Sequence, residues 1–350
     1  MQSSGPVTRY RSDKPILTAD RPWEQSATLR AISVMPDEDG GRLRLYYLVW
    51  NRADFSKNAL CVAYSEDGLH WQKPDLGEGH NVVMRGSGCK MDWGVYFPHQ
   101  VIHDPVDEDE SLRWKMAYWD KPTASNPYGI CLAASPDGFA WRPLGDYPII
   151  TGANDGCCLI AAHEPGPCPW LKSYYRIYQQ TWKYNPALPT DRDNLRKMHR
   201  RISLWATEAF EGKWIGPILI LEPDEDDPPD LQFYWLTVFH LKEGFGGFLA
   251  CHHTIDQTMD LQLVTSKDGW TWDRQNDRQP ILAVGGPGRF DCGSVFSISG
   301  PMRVADKVYM LYGGRAKVHD QQLRYPDLEC PDPEAGIGIA EIDPALVDIP

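Results

Sequence analysis

The sequence has 350 residues, of which 42% are hydrophobic and 24% charged, a composition that excludes disorder over most of its length. No apolar run approaches the roughly 20 residues that a membrane-spanning helix needs. The net charge of −13 predicts that neither nucleic acid nor an anionic membrane is a partner.

The N-terminal segment lacks the apolar stretch of a secretory signal, so we expect a cytoplasmic protein. The nine cysteines are an odd number without a Cys-x-x-Cys pair, which favours reduced thiols over a disulfide framework. No group of cysteines and histidines has the spacing of zinc ligands. The sequence therefore predicts no metal-ligating residues.

One phrase recurs along the chain, an apolar strand followed by Ser-x-Asp-Gly-x-x-Trp. Intact copies occupy residues 63–71, 133–141 and 264–272, and a degenerate copy occupies 205–214. Asp-Gly is a strong hairpin signal, and the tryptophan begins the next short strand. We interpret these phrases as structural turns.

Two further strands precede each turn. The second strand of each unit is rich in apolar and aromatic residues and lies at 42–50, 113–119, 174–182, 247–253 and 307–314. The first strand opens after an acidic residue, in turn Glu24, Asp92, Asp155, Asp230 and Asp291. The apolar spacing of two indicates strands rather than helices. The unit occurs five times, with a period of roughly 60–75 residues.

Four antiparallel strands per repeating unit predict an all-β fold, a five-bladed β-propeller with an axial pocket. Five blades need the whole chain, so we expect a single domain over residues 1–350. The blades span roughly 13–80, 81–147, 148–217, 218–279 and 280–345. The last copy runs out of strands after residues 336–342, so an N-terminal strand around residues 7–11 is expected to close the ring.

Three segments interrupt the repeat. Residues 185–201 form a polar, basic insertion, residues 222–230 are acidic and rich in proline, and residues 315–333 form a long loop in the fifth unit. The opposite charges of the first two suggest a contact between them, for example across a homo-oligomer interface. Two separately solvated loops are the alternative.

The first strands of a propeller surround its axis, so the residues that begin them converge on one rim. The five acids hold equivalent places in five successive units and are therefore expected to share one pocket. Mutual repulsion and burial then raise the pKa of at least one. Glycoside cleavage needs such a protonated acid beside an ionised carboxylate. The alternative is that each acid only forms a turn.

Aromatic side chains flank these acids and suit the stacking of a sugar ring, while histidine and arginine add hydrogen-bond donors. The predicted substrate-binding residues are Trp23, Trp93, His99, Asp230, Trp235, His252 and Arg315.

These features resemble the five-bladed propeller glycosidases, which include the fructofuranosidase-like families 32 and 68 and the arabinanase- and xylosidase-like family 43. The resemblance rests on the five units, the Pro22-Trp23-Glu24 entry, the second strands such as 115–118, and the Ser-x-Asp-Gly-x-x-Trp turns. It implies a base or nucleophile, a transition-state stabiliser and a general acid on the first three units. By position these are Glu24, Asp92 and Asp155.

The chain departs from that family in the order of its acids, because the family shows Asp, Asp, Glu and this chain shows Glu, Asp, Asp. The family's Arg-Asp-Pro and Glu-Cys-Pro motifs are missing from the second and third units. Asp291, which neighbours Glu24 if the ring closes, is therefore kept as a fourth catalytic candidate.

The sequence thus predicts a glycoside hydrolase-like enzyme that acts on a small saccharide, with Asp92, Asp155, Glu24 and Asp291 as acid, base or nucleophile. No cofactor is required, and a structural Ca²⁺ held by acids is an option. A glycoside phosphorylase is one alternative, with phosphate held by Arg315, Lys317, His252 and His253. A non-catalytic carbohydrate-binding or interaction propeller is the other.

Overall fold

Strands dominate the computed structural model, which describes residues 8–37, 40–89, 96–152, 154–162, 167, 171, 173–189, 192–329 and 334–350. Four short 3-10 helices accompany them, at Pro22–Glu24, Phe55–Lys57, Glu110–Leu112 and Asn276–Arg278. Within these ranges no helix has the length and apolar character to cross a membrane.

The first ten strands are β1 (Thr8–Arg11), β2 (Ala27–Pro36), β3 (Leu43–Asn51), β4 (Ala59–Ser65), β5 (Val82–Arg85), β6 (Phe97–His103), β7 (Trp114–Asp120), β8 (Gly129–Ser135), β9 (Arg142–Pro143) and β10 (Ile150–Thr151). Strands β2 to β5 form an antiparallel sheet in sequence order. A second antiparallel sheet has the order β10-β8-β7-β6, and β9 also pairs with β8.

The remaining strands are β11 (Cys157–Ala161), β12 (Tyr175–Tyr184), β13 (Met198–Thr207), β14 (Ile215–Leu221), β15 (Leu231–His240), β16 (Phe245–His253), β17 (Thr258–Ser266), β18 (Asp273–Arg274), β19 (Ser294–Ile298), β20 (Met302–Val304), β21 (Lys307–Arg315) and β22 (Ala335–Ile342). Strands β11 to β14 form a four-stranded sheet in sequence order. The last sheet has nine strands among the described residues. Seven follow the path β1-β22-β21-β19-β17-β16-β15, while β18 pairs with β17 and β20 pairs with β21.

The all-β prediction is confirmed, and the repeat locates its strands correctly. The five predicted second strands are β3, β7, β12, β16 and β21, each within a few residues of its expected bounds. The N-terminal β1 pairs antiparallel with β22, from Thr8 opposite Ile342 to Arg11 opposite Ala340. The number of blades and the closure of a ring stay predictions.

The chain divides into two compact units, each with its own apolar core. The first unit comprises Ala19–Gln179 and Leu204–Ile218, and the second comprises Met1–Thr18, Gln180–Ser203 and Leu219–Pro350. In the first unit, strands β3, β7 and β8 are buried along their whole length. A strand with both faces buried packs between two layers, which explains runs of apolar residues without polar alternation.

The Ser-x-Asp-Gly-x-x-Trp turns have the structural role that the sequence predicts. In the first copy, the Ser65 hydroxyl accepts the Gly68 amide at 2.8 Å, and the Asp67 carboxylate accepts the amides of residues 69 and 70, both at 2.8 Å. The Trp71 indole donates to the Gly68 carbonyl at 2.9 Å. Gly68 has a φ of 74°, which favours glycine. The copies at 135–141 and 266–272 repeat these contacts.

Candidate functional site

Glu24 lies in the first unit, fully buried at the end of the first 3-10 helix. Its carboxylate accepts the Lys73 ammonium at 2.6 Å and the Tyr47 hydroxyl at 3.0 Å. Asn81 donates to the same Tyr47 oxygen at 2.6 Å. Burial, the neighbouring Cys61 and Glu24 raise the pKa of Tyr47 well above its ordinary value, so its hydroxyl keeps its proton and donates. These contacts anchor the entry to β2, while the catalytic role of Glu24 stays a prediction.

Asp291 has the same kind of environment in the second unit. It is fully buried before β19, and its carboxylate accepts Arg11 Nε at 2.7 Å, Arg289 Nε at 3.3 Å and the Tyr312 hydroxyl at 2.7 Å. Arg11 belongs to β1, so this ion pair joins the N-terminal strand to the turn before β19. With its charge balanced by two guanidinium groups, Asp291 holds strands together; its catalytic role is likewise a prediction.

Asp155 differs from both, because the residue is partly exposed. It begins the segment that leads into β11, and the preceding Asn154 carbonyl accepts Gln179 Nε2 at 2.9 Å. Gln179 is fixed in turn by the Trp205 indole, which donates to its side-chain oxygen at 2.9 Å. The backbone at Asp155 is therefore positioned from β12 and β13. Asp92 and Trp93 lie outside the described residues.

Of the predicted binding residues in the first unit, the structure describes Trp23 and His99, both partly exposed. Burial and the nearby Arg30 lower the pKa of His99 to about 3, so its imidazole is neutral at physiological pH. Neither His99 Nε2 nor the Trp23 indole nitrogen has a hydrogen-bond partner among the described residues. Both atoms are donors or acceptors that a bound polar group would satisfy.

In the second unit, Asp230 accepts the Ile255 amide at 3.2 Å, which gives it a loop-fixing role. Arg315 donates to Ser294 Oγ at 2.8 Å and to Gln321 Oε1 at 3.0 Å. The buried indole nitrogen of Trp235 has no partner within the described part of the chain.

Two of the side chains considered for phosphate binding already form ion pairs. Lys317 lies 2.6 Å from Glu334, and His253 lies 3.0 Å from Asp260.

His252 belongs to a cluster of three side chains that the spacing of residues in the sequence does not predict. Its Nδ1 is 3.9 Å from Asp193 Oδ1, and His319 Nδ1 is 3.5 Å from the same oxygen. One ligand-type atom from each of the three residues lies within 4.8 Å of the others. We call Asp193, His252 and His319 the histidine cluster. It lies wholly within the second unit.

Neutral imidazole and fixed carboxylate define the chemistry of the histidine cluster. Burial, with contributions from His319, Arg200, His253 and Arg315, lowers the pKa of His252 well below its ordinary value. Arg200 Nη1 donates to Asp193 Oδ2 at 2.8 Å and to Gln232 Oε1 at 2.5 Å. The Tyr234 hydroxyl lies 3.0 Å from His319 Nε2. Such a set can bind a cation or the polar groups of a ligand.

Sequence reasoning chose His252 but missed Asp193 and His319, and its spacing argument gave no hint of the cluster. The signal was present in the interruptions of the repeat, because Asp193 belongs to the 185–201 insertion and His319 to the 315–333 loop. Loops on a rigid scaffold carry function disproportionately often. Only folding brings residues 193, 252 and 319 together.

No protein-family model matches the chain, and no curated protein matches it. Solved structures do. A protein described as a glycoside hydrolase has a TM-score of 0.61 at 14% identity, with 98% of this chain and 95% of that chain covered. An N-acetylgalactosamine deacetylase from F. plautii, in complex with blood group B trisaccharide, has a TM-score of 0.57 at 14% identity, with 98% and 96% covered.

A structure reported for the GH130 family of mannoside phosphorylases, said to contain glycoside hydrolases that target β-1,2 mannosidic linkages, has a TM-score of 0.56 at 13% identity. The alignment covers 100% of this chain and 95% of that chain. At these identities the likeness concerns the fold. The chain therefore shares the fold of these solved structures over nearly its whole length.

Proposed function

We propose that this protein is a carbohydrate-active enzyme that cleaves a glycosidic bond in a small saccharide. The observation that carries the proposal is the similarity of fold over nearly the whole chain to proteins described as acting on carbohydrates. Fold similarity alone does not transfer an activity. The proposal therefore also needs residues able to do the chemistry.

Asp155 and Asp92 are the acid and base candidates that we favour. Asp155 is a partly exposed residue, whereas Glu24 and Asp291 are fully buried against cations. A general acid or base must reach within hydrogen-bond distance of the proton that it transfers. Asp92 is included because it holds the equivalent position in the second unit of the repeat. Glu24 and Asp291 then serve by holding the entries to β2 and β19.

A panel of nitrophenyl furanosides, nitrophenyl pyranosides and natural oligosaccharides, each with and without phosphate, tests the proposal. Asp155→Asn and Asp92→Asn are each expected to lower turnover about 100-fold or more. Asp146→Asn, an exposed carboxylate near β9, is the matched control and should retain full turnover. Strict dependence on phosphate would assign a phosphorylase. Saccharide binding without turnover would assign a non-catalytic propeller.

The histidine cluster favours a second candidate function, hydrolysis of an acyl group on an amino sugar. Histidine and carboxylate side chains are the ligands through which metal-assisted hydrolysis operates, and one structurally similar protein is described as an N-acetylgalactosamine deacetylase. Acetate release from N-acetylhexosamine glycosides, without release of the aglycone, would identify this activity. It should survive Asp155→Asn and be lost in His252→Leu.

A further inference from the structure

We propose that Asp193, His252 and His319 bind one divalent first-row transition-metal ion of the zinc type. The inference deepens the second candidate function and rests on the same histidine cluster. Zinc binding without acetate release would leave the metal site in place and remove only that function.

Two of the three spacings between donor atoms approach those around such an ion. Zinc bonds to histidine nitrogen and carboxylate oxygen measure about 2.0–2.2 Å, so tetrahedral angles place ligand atoms about 3.3–3.5 Å apart. Asp193 Oδ1 lies 3.5 Å from His319 Nδ1 and 3.9 Å from His252 Nδ1. The two histidine donor atoms lie within 4.8 Å of each other, so binding draws the two imidazole rings closer together around the ion.

The second observation is the state of the His252 ring. The residue is fully buried, and neither ring nitrogen has a hydrogen-bond partner among the residues that the structure describes. A buried polar atom without a partner costs free energy, and natural proteins rarely leave one unsatisfied. A metal ion beside Nδ1 gives this nitrogen a partner.

The surroundings resemble the outer shell of a metal site. Arg200 holds Asp193 Oδ2 at 2.8 Å, which orients the carboxylate. The far nitrogen of His319 lies 3.0 Å from the Tyr234 hydroxyl. The His319 amide donates to the Gln257 carbonyl at 2.8 Å, which fixes the backbone of the loop. His319 Nδ1 also lies 3.3 Å from Gln257 Oε1, and the bound ion would replace this contact. Outer contacts of this kind set the orientation and tautomer of ligating histidines.

The donor set indicates the class of ion. Two imidazoles and one carboxylate suit zinc and its first-row neighbours, whereas Ca²⁺ takes 6–8 oxygen ligands. Three protein ligands also leave a coordination position open, as in catalytic zinc sites.

The test uses the full chain, stripped of metal with a chelator and titrated calorimetrically with Zn²⁺. We expect one equivalent to bind, and His252→Leu and Asp193→Asn each to lower the affinity about 100-fold or more. His253→Asn is the matched control, because it changes the neighbouring residue of β16, which pairs instead with Asp260, and it should bind like wild type. Failure of the stripped wild type to bind zinc, or equal binding by His252→Leu, would overturn the proposal.

Thermal unfolding guards against a variant that merely misfolds. His252→Leu removes two unpartnered polar atoms, so without metal it should melt no lower than wild type. Zinc should raise the melting temperature of wild type and not that of His252→Leu; an equal rise in both refutes the site.

Cobalt substitution reports the donor type. A Co²⁺ spectrum without thiolate charge transfer is expected, and a thiolate band would instead assign the binding to the cysteines.

Discussion

The buried pair of Glu24 and Lys73 allows a structural role for Glu24 to be separated from a catalytic one. The two side chains are 0% and 3% exposed, and the ammonium lies 2.6 Å from the carboxylate. Removing one partner of a buried pair costs about 3–5 kcal/mol, because the other charge is left without compensation. In Glu24→Gln, Lys73 keeps Asp20 at 2.6 Å. We therefore expect Glu24→Gln to lower the free energy of unfolding by about 3 kcal/mol, the lower end of this range.

Lys73→Met is the harsher change. It leaves the Glu24 carboxylate buried with two hydrogen bonds, from the Tyr47 hydroxyl and the Arg21 amide, and no counter-ion at Lys73. We expect Lys73→Met to lower the free energy of unfolding by about 5 kcal/mol, the upper end of the range for a broken buried pair. The double variant should cost less than the sum of the single variants, because it removes both charges together.

Urea unfolding at pH 7, followed by tryptophan fluorescence and circular dichroism, measures these costs. Lys57→Met is the control, because Lys57 lies in an exposed pair with Asp54 at 3.9 Å and should leave stability unchanged. Additive effects of Glu24→Gln and Lys73→Met, or a Glu24→Gln variant as stable as wild type, would refute the structural role. Lost turnover at unchanged stability would restore Glu24 as a catalytic residue.

Three further outcomes are expected. Burial opposes ionisation of Asp137, but hydrogen bonds from the amides of Ala140 and Phe139 lower the pKa of its carboxyl below the ordinary value. The ionised Asp137 therefore stabilises the fold above about pH 4, and this stabilisation is lost as the pH falls through the folded-state pKa. The stability gap between wild type and Asp137→Asn should accordingly shrink in acid, and a constant gap in urea unfolding would contradict this.

Deletion of residues 1–12 removes β1 and the Arg11 partner of Asp291, so the melting temperature should fall sharply; an unchanged value would show that the pairing is dispensable. His99→Leu removes a buried unpartnered nitrogen and should not lower the unfolding free energy; if His99 binds saccharide, KM rises while stability holds.

Much of the architecture was predictable because its signals are local. Segments rich in apolar and aromatic residues located β3, β7, β12, β16 and β21, and Asp-Gly with its tryptophan located the hairpins. In each turn the side-chain acceptors and amide donors lie within six residues of one another. The residues of the phrase are therefore sufficient to explain the turn.

The expected ring of acids depends on information that no local pattern contains. Glu24 and Asp291 do begin equivalent segments, but their partners Lys73 and Arg11 lie 49 and 280 positions away. An acidic residue before a strand looks the same in sequence whether it faces a ligand or a buried cation. Asp155, which is a partly exposed residue, shows that equivalent positions in the repeat can have different surroundings.

The sequence by itself determined the strands, their hairpins and the all-β class, because hydrophobic period and turn chemistry act between near neighbours. Tertiary structure alone decided which polar side chains lost water, which gained a counter-ion and which were left unsatisfied. The histidine cluster is the clearest case: residues 193, 252 and 319 come from an insertion, a strand end and a loop. Their proximity arises from packing of the second unit, which brings separate repeats together.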